Sequence, residues 1–155
     1  MISPRLENFL TQHHVVFQHT AHRPTFTARE LARAEHAPSS EVAKAVVFLA
    51  DGAFGMAVLG ANTHIDLNEL RHAIGAKSLR LATENELLDL FPDTELGAMP
   101  PFGNLYGIPV YVDERLAEEP EIVFNAGTHR DVIHMKYEDF ARLAEPLVIT
   151  FARKC

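Results

Sequence analysis

Three short segments carry residue types that could do chemistry. Lys44 lies inside Val42-Ala43-Lys44-Ala45-Val46-Val47-Phe48, a run whose flanking residues suggest a strand close to the core. A lysine there costs free energy unless its ammonium reaches solvent, a carboxylate or an anionic ligand. Two readings follow: a stem lying along apolar surface with its head in water, or a point charge set against an anion. In the second segment, Gly97-Ala98-Met99-Pro100-Pro101-Phe102-Gly103, the prolines fix the backbone while the flanking glycines let a ligand or another chain come close. A stiff loop with bare amides suits a carbonyl oxygen or a developing oxyanion; a long connection between helix and strand is the other reading. The third segment, Gly127-Thr128-His129, puts a hydroxyl and an imidazole at a turn between two strands, where loops commonly carry function. An exposed turn histidine is the alternative there.

Other familiar chemistries lack their residues. His19 and His22 are three apart, but in a segment that reads as strand and loop rather than one helical face. There is no HExxH and no carboxylate–histidine cluster at metal-ligand spacing, so no metal site is expected. The sole cysteine, Cys155, is the last residue, where nothing nearby would activate it. No GxSxG elbow, Walker loop or GxGxxG fingerprint occurs.

The elements that must position these segments alternate between short helices and short strands. Ser3-Pro4 opens a helix with an N-cap and a first-turn proline, carrying Leu6, Phe9 and Leu10. Val15-Val16-Phe17 reads as a strand. Thr27 with Glu30 forms a capping box for a helix that Pro38 closes. The apolar runs Val42 to Ala50 and Phe54 to Leu59, joined by Asp51-Gly52, predict a hairpin. Asp66 with Glu69 caps a helix that Gly75 terminates, and Thr83 with Glu86 starts one ending at Phe91-Pro92. Gly97 to Gly107 reads as a loop and Ile108 to Val112 as a strand with Pro109 near its start. Glu121 to Ala126 and Asp131 to Lys136 pair across the Gly127–Arg130 turn. A helix around Asp139 to Leu143 and a strand over Leu147 to Phe151 follow. Hairpins mixed with helical crossovers predict α+β with a mixed sheet.

Bulk properties set the frame. A chain of 155 residues with 47% apolar content fits one domain, residues 1–155, with one core. No apolar run approaches the roughly 18 residues of a membrane span. The opening MISPRLENFLTQHH lacks the pattern of a secretory signal. One cysteine and no leader pattern imply a reducing, cytoplasmic setting. Net charge is −7, which argues against a broad grip on a nucleic-acid backbone but allows a small pocket for the end of a strand.

The order and setting of the three segments resemble the YbaK and prolyl-tRNA-synthetase-associated editing domain family. Ala43-Lys44-Ala45-Val46-Val47-Phe48 is similar to that family's lysine-bearing strand. Leu81 to Leu116 looks like its central helix, loop and strand, and Phe124-Asn125-Ala126-Gly127-Thr128-His129 resembles its late turn. The resemblance covers nearly the whole chain. It implies a single compact α+β domain with a mixed, barrel-like sheet and surrounding helices, and trans-editing hydrolysis of the ester between a small amino acid and the 3′ CCA end of mischarged tRNA.

Carried over by position, Lys44 matches the family's functional lysine, Gly97 and Pro101 its GxxxP loop, and His129 the histidine of the late turn. Lys44, Gly97 and His129 are then the catalytic candidates. Pro101, Phe102, Gly103, Gly127 and Thr128 are candidates for substrate binding, Thr128 standing where the family often has serine. Ala45, beside the lysine, is apolar where some relatives are polar, so the amino acid accepted stays open.

On this reading Lys44 clamps a phosphate or another polar group of the substrate, and the amides around Gly97 stabilise the oxyanion. Positioned water, helped by the substrate's ribose hydroxyl, attacks, and His129 shapes the pocket or orders that water. No metal or organic cofactor is required. Partners are aminoacyl-tRNA and, as a compatible complement, an aminoacyl-tRNA synthetase. The rival expectations are a non-catalytic module of the same fold that binds tRNA or a metabolite and, after it, a metal-dependent hydrolase using some of the nine histidines.

Overall fold

The computed structural model describes residues 2–155. Helix α1 (Pro4–Gln12) buries Leu6 and Leu10 at i and i+4, as its apolar stripe requires. Ser3 precedes it but does not cap it. Its N–H is held by the Ala126 carbonyl at 3.0 Å, and its hydroxyl donates to Asp93 Oδ2 at 2.9 Å. Val15 does not begin the first strand, because its N–H closes the helix end on the Leu10 carbonyl, while Val16 is 84% exposed. Strand β1 runs instead over Phe17–Ala21.

In helix α2 (Ala28–Ala34) the Thr27 hydroxyl accepts from the Glu30 N–H, but the return bond of the expected capping box is missing. The Glu30 carboxylate accepts from Phe26 N–H rather than from Thr27. Strands β2 (Ala43–Ala50) and β3 (Ala53–Gly60) form the hairpin that Asp51-Gly52 predicts. Asp51 and Gly52 have φ of 49° and 83°, the left-handed pair that suits the twist of such hairpins. Then come β4 (Thr63–Ile65), α3 (Leu67–Ile74), β5 (Leu79–Leu81) and α4 (Glu84–Leu90). Both expected caps hold here, with Asp66 on α3 and a reciprocal capping box of Thr83 and Glu86 on α4. A 3-10 helix (Gly103–Tyr106) interrupts the stretch from Gly97 to Gly107 expected as a loop, and after it come β6 (Val110–Asp113), α5 (Glu114–Ala117), β7 (Glu121–Asn125), β8 (Asp131–Lys136), α6 (Tyr137–Ala144), β9 (Leu147–Ile149) and β10 (Ala152–Lys154).

The main sheet has the order β5-β2-β3-β6-β9 and is mixed: β2 pairs antiparallel with β3 and β5, while β6 is parallel to β3 and β9. An antiparallel sheet, β1-β8-β7, meets it through a parallel bridge between Val42 and Val123. Strands β10 and β4 form a third, two-stranded sheet. The fold is thus α+β with mixed sheets, and among the described residues they do not close into a barrel. No helix among the described residues is long and apolar enough to cross a membrane.

Strand β2 is covered on both faces, which explains its nearly continuous apolar sequence. Ala43 and Val47 enter the main core with Met56, Phe102, Phe124 and Phe140. Val46 and Phe48 face a second cluster built on Leu59, Leu70 and Phe151. By the alternation of a strand, Lys44 belongs to this second face, at the end where that cluster thins out.

Candidate active site

Lys44 is half-buried and its ammonium donates to the Thr63 carbonyl oxygen at 2.5 Å. Burial pushes it below the ordinary lysine value; Cys155 pulls the other way and Arg29 adds to the depression. One acceptor engages one of the ammonium's three N–H groups, leaving donor capacity for an anion.

Lys44 and Gly97 line one cavity of about 200 Å³, together with Phe26, Leu31, Met99 and Asn125. Two turns build its far wall and are joined by hydrogen bonds across the gap in sequence. Glu95 N–H donates to the Gly127 carbonyl at 2.8 Å and Gly127 N–H to the Ala98 carbonyl at 3.0 Å. His129 N–H donates to Glu95 Oε1 at 2.7 Å. The GxxxP loop is therefore held in place by the late turn, which strand pairing of β7 with β8 presents at the right end of the sheet.

His129 is the pin of this junction. Its Nδ1 lies 3.0 Å from the Thr25 carbonyl and its Nε2 2.8 Å from the Leu96 carbonyl. An imidazolium donates to both, whereas a neutral ring donates to one only. With both nitrogens engaged, the ring is placed to fix the loop rather than to take a proton from water. Its face packs on Phe26, with centroids 4.8 Å apart.

Gly97 has φ of +84°, a conformation that side chains oppose, and a β-carbon there would meet His129 Cε1 at 3.5 Å. Among the described residues the N–H groups of Gly97 and Met99 make no hydrogen bond, so two backbone donors are free on the cavity wall. Such a pair can stabilise an oxygen that gains negative charge.

The other sequence candidates lie elsewhere. Pro101, Phe102 and Gly103 are buried and do not line the cavity. Phe102 packs edge-on against Phe9, Phe124 and Phe140, and a β-carbon on Gly103 would meet Ile108 at 2.9 Å. They anchor the loop from behind. Gly127 has φ of +100° and leaves only 3.1 Å between a β-carbon and Ser3. The Thr128 hydroxyl is engaged inside its own turn, donating to Asp131 Oδ2 at 2.6 Å and accepting from the N–H groups of Arg130 and Asp131. Burial opposes ionisation of Asp131, yet hydrogen bonds that include those from Thr128 and His19 hold its carboxyl down at about 2.

Phe26 and Asn125 are lining residues that the sequence did not single out for the site. Phe26 is 71% exposed, and Asn125 Oδ1 is buried without a hydrogen-bond partner. Phe26 stands alone in a polar stretch and Asn125 lies at a strand end. The signal present was an aromatic in a loop with no core pattern to join. Among the described residues no group of three or more His, Cys, Asp or Glu side chains could hold a metal ion.

The structure is a mixed-sheet α+β fold that clamps the Gly97–Pro101 loop against the Gly127-Thr128-His129 turn. The family model for the aminoacyl-tRNA editing domain matches residues 22–143, and the chain belongs to that family. It is 33% identical over 99 residues to the Multifunctional Ser/Thr-tRNA deacylase ProXp-y of Escherichia coli (strain K12), covering 63% of this chain and 59% of that protein. It is 27% identical over 144 residues to a proline–tRNA ligase of Shouchella clausii, covering 86% of this chain and 25% of the ligase. A crystal structure described as that of a candidate trans-editing enzyme for prolyl tRNA synthetase superposes with a TM-score of 0.85 at 25% identity, covering 99% of both chains.

Proposed function

We propose that this chain is a trans-editing aminoacyl-tRNA deacylase, which hydrolyses the ester of mischarged tRNA carrying a small amino acid. The observation that supports it best is the sharing of one cavity of about 200 Å³ by Lys44 and the free amides of Gly97 and Met99. The cavity is bounded by Leu31, Ala43, Ala45 and Met99, and its size suits the side chain of a small amino acid. Discrimination by exclusion of bulk follows, since a well-packed wall resists larger groups.

The 3′ CCA end would enter past Phe26, with the ester carbonyl at the Gly97 and Met99 amides. Those amides bind the oxygen more strongly as it becomes an oxyanion, which lowers the barrier. Lys44 supplies a positive charge to the terminal nucleotide. His129 is a positioning residue that holds the Leu96–Gly97 turn. With no free strong base on the wall, water oriented by the substrate's ribose hydroxyl is the nucleophile. The proton lost by that water passes to the departing ribose oxygen. The setting is the cytoplasm, no cofactor takes part, and a synthetase that misacylates the tRNA is the natural neighbour.

A second reading, a non-catalytic module that binds tRNA or a metabolite, draws on a specific observation. The Lys44 ammonium is turned to Thr63 and both nitrogens of His129 are engaged, so no side chain stands ready as a base. Deacylation of a panel of mischarged tRNAs, with and without chelator, separates the two. Chelator-resistant release of a small amino acid supports the enzyme; no release from any member overturns the enzyme reading and puts the binding module first.

A further inference from the structure

A second concavity lies outside the cavity described above. It is an open groove of about 570 Å³, lined by Arg29, Arg33, His36 and Ser39 with Ala32 and Ala37 as its floor. Arg29 and Arg33 are four apart on α2, side by side on one exposed face. Like charges at that spacing destabilise a helix. Arg33, in the last turn, is favoured by the helix dipole, but among the described residues neither guanidinium makes an ion pair or a hydrogen bond. The chain has 21 acidic against 14 basic residues, and Arg5, Arg80, Arg142 and Arg153 all reach carboxylates, so carboxylate partners are not scarce. What sets Arg29 and Arg33 apart is their place together on one wall of an open groove, where two guanidinium groups can each meet an anion.

Its position identifies the anion. Helix α2 is the common wall of the groove and the cavity: Ala28 and Leu31 face the cavity, while Arg29, Ala32 and Arg33 face the groove. Arg29 is near enough to Lys44 to act on its charge. A strand whose end occupied the cavity would meet this groove on the other side of α2. We propose that the groove binds the sugar–phosphate backbone of the tRNA acceptor strand immediately upstream of the terminal nucleotide, with Arg29 and Arg33 each meeting a phosphate. This rests on the reading of the cavity as the site of the 3′ end. It also reconciles a net charge of −7 with a nucleic-acid partner, because the positive charge is concentrated where the strand runs.

The test is binding of uncharged tRNA, measured by fluorescence anisotropy across a salt series, so that it does not depend on hydrolysis. Each phosphate that the protein no longer neutralises lowers the slope of log Kd against log salt by about 0.7 for a single strand. The double variant Arg29→Gln, Arg33→Gln should therefore reduce that slope by about 1.4 and bind more weakly at low salt. Arg29→Lys, Arg33→Lys should keep the slope. Arg142→Gln, on α6, should match wild type, which removes a general effect of net charge. Thermal unfolding of each variant verifies the fold. A double glutamine variant that is folded and has the wild-type Kd and slope overturns the groove assignment, even if the deacylation panel succeeds. Wild-type protein that deacylates nothing, paired with a double variant of reduced slope, keeps the groove and removes the enzyme reading.

Discussion

His129 and Gly97 meet across 32 positions of sequence, with the imidazole occupying the space beside the glycine: a β-carbon on Gly97 would stand 3.5 Å from His129 Cε1 and 3.9 Å from Nε2. The contact couples a left-handed backbone to a ring held by two carbonyl oxygens. Gly97→Ala adds a side chain at φ of +84°, which costs about 1–2 kcal/mol, while its contact with the ring is of ordinary van der Waals length. The thermal unfolding midpoint should fall by a few degrees. Deacylation should fall at least tenfold, because the amides that face the ester move with the turn. A variant as active as wild type would detach the loop amides from the chemistry.

Lys44 carries the opposite balance. Its ammonium is partly desolvated, and burial disfavours its charged form. The folded-state value lies below the unfolded one, so the penalty is present while the buried group stays charged and is lost as pH rises through the folded value to the ordinary lysine value of about 10.4. Lys44→Met keeps the stem and removes the charge. Its unfolding midpoint at pH 7 should equal or exceed that of wild type, and the difference should shrink as pH rises above about 10. Activity should drop by two orders of magnitude or more, the loss expected when the charge that positions the terminal nucleotide against the loop amides is removed. Chemical denaturation at both pH values alongside a deacylation assay checks it.

Asp131 ties the late turn together and sets an acid limit. Its carboxyl is held at about 2, below the unfolded aspartate value of about 3.9. It therefore contributes about 2 kcal/mol above pH 4, lost as pH falls through about 2. Asp131→Asn should lose that amount at pH 6. The gap between wild type and variant in urea unfolding should close toward pH 2. A gap that stays constant from pH 6 to pH 2 would contradict the account.

Phe26 and Asn125 separate binding from folding. Phe26 is mostly exposed, so Phe26→Ala should change stability by less than about 0.5 kcal/mol. Its ring stands at the mouth of the cavity, and removing it should raise KM several-fold with a smaller effect on kcat. Asn125→Ala removes a buried acceptor that has no partner, so it should leave stability unchanged or raise it while altering the order of preference among small amino acids. Steady-state kinetics on two mischarged tRNAs would read both effects.

What was legible in the sequence was local. The Asp51-Gly52 hairpin and the Asp66 and Thr83 caps follow from a few adjacent residues whose geometry admits few alternatives. The short elements β4, β5, α5 and β10 were not legible. They run for three or four residues, too few to display a period, and the three strands exist because longer neighbours or each other supply the ladder. At the site, Lys44 stood out because a charge interrupted an apolar run. The bonds from Glu95 and Leu96 to the late turn left no local trace, since they form only when β7 and β8 bring that turn to the loop. Ser3 misled for the same reason: a good cap residue was taken by a partner 90 positions away.

The most direct test of the central claim is single-turnover deacylation of a small-residue mischarged tRNA by wild type and Lys44→Ala at equal, saturating protein. The account predicts release by wild type and a rate for Lys44→Ala at least a hundredfold lower, with the variant folded. Equal rates for the two proteins would contradict it, by placing the chemistry somewhere other than the cavity shared by Lys44 and Gly97.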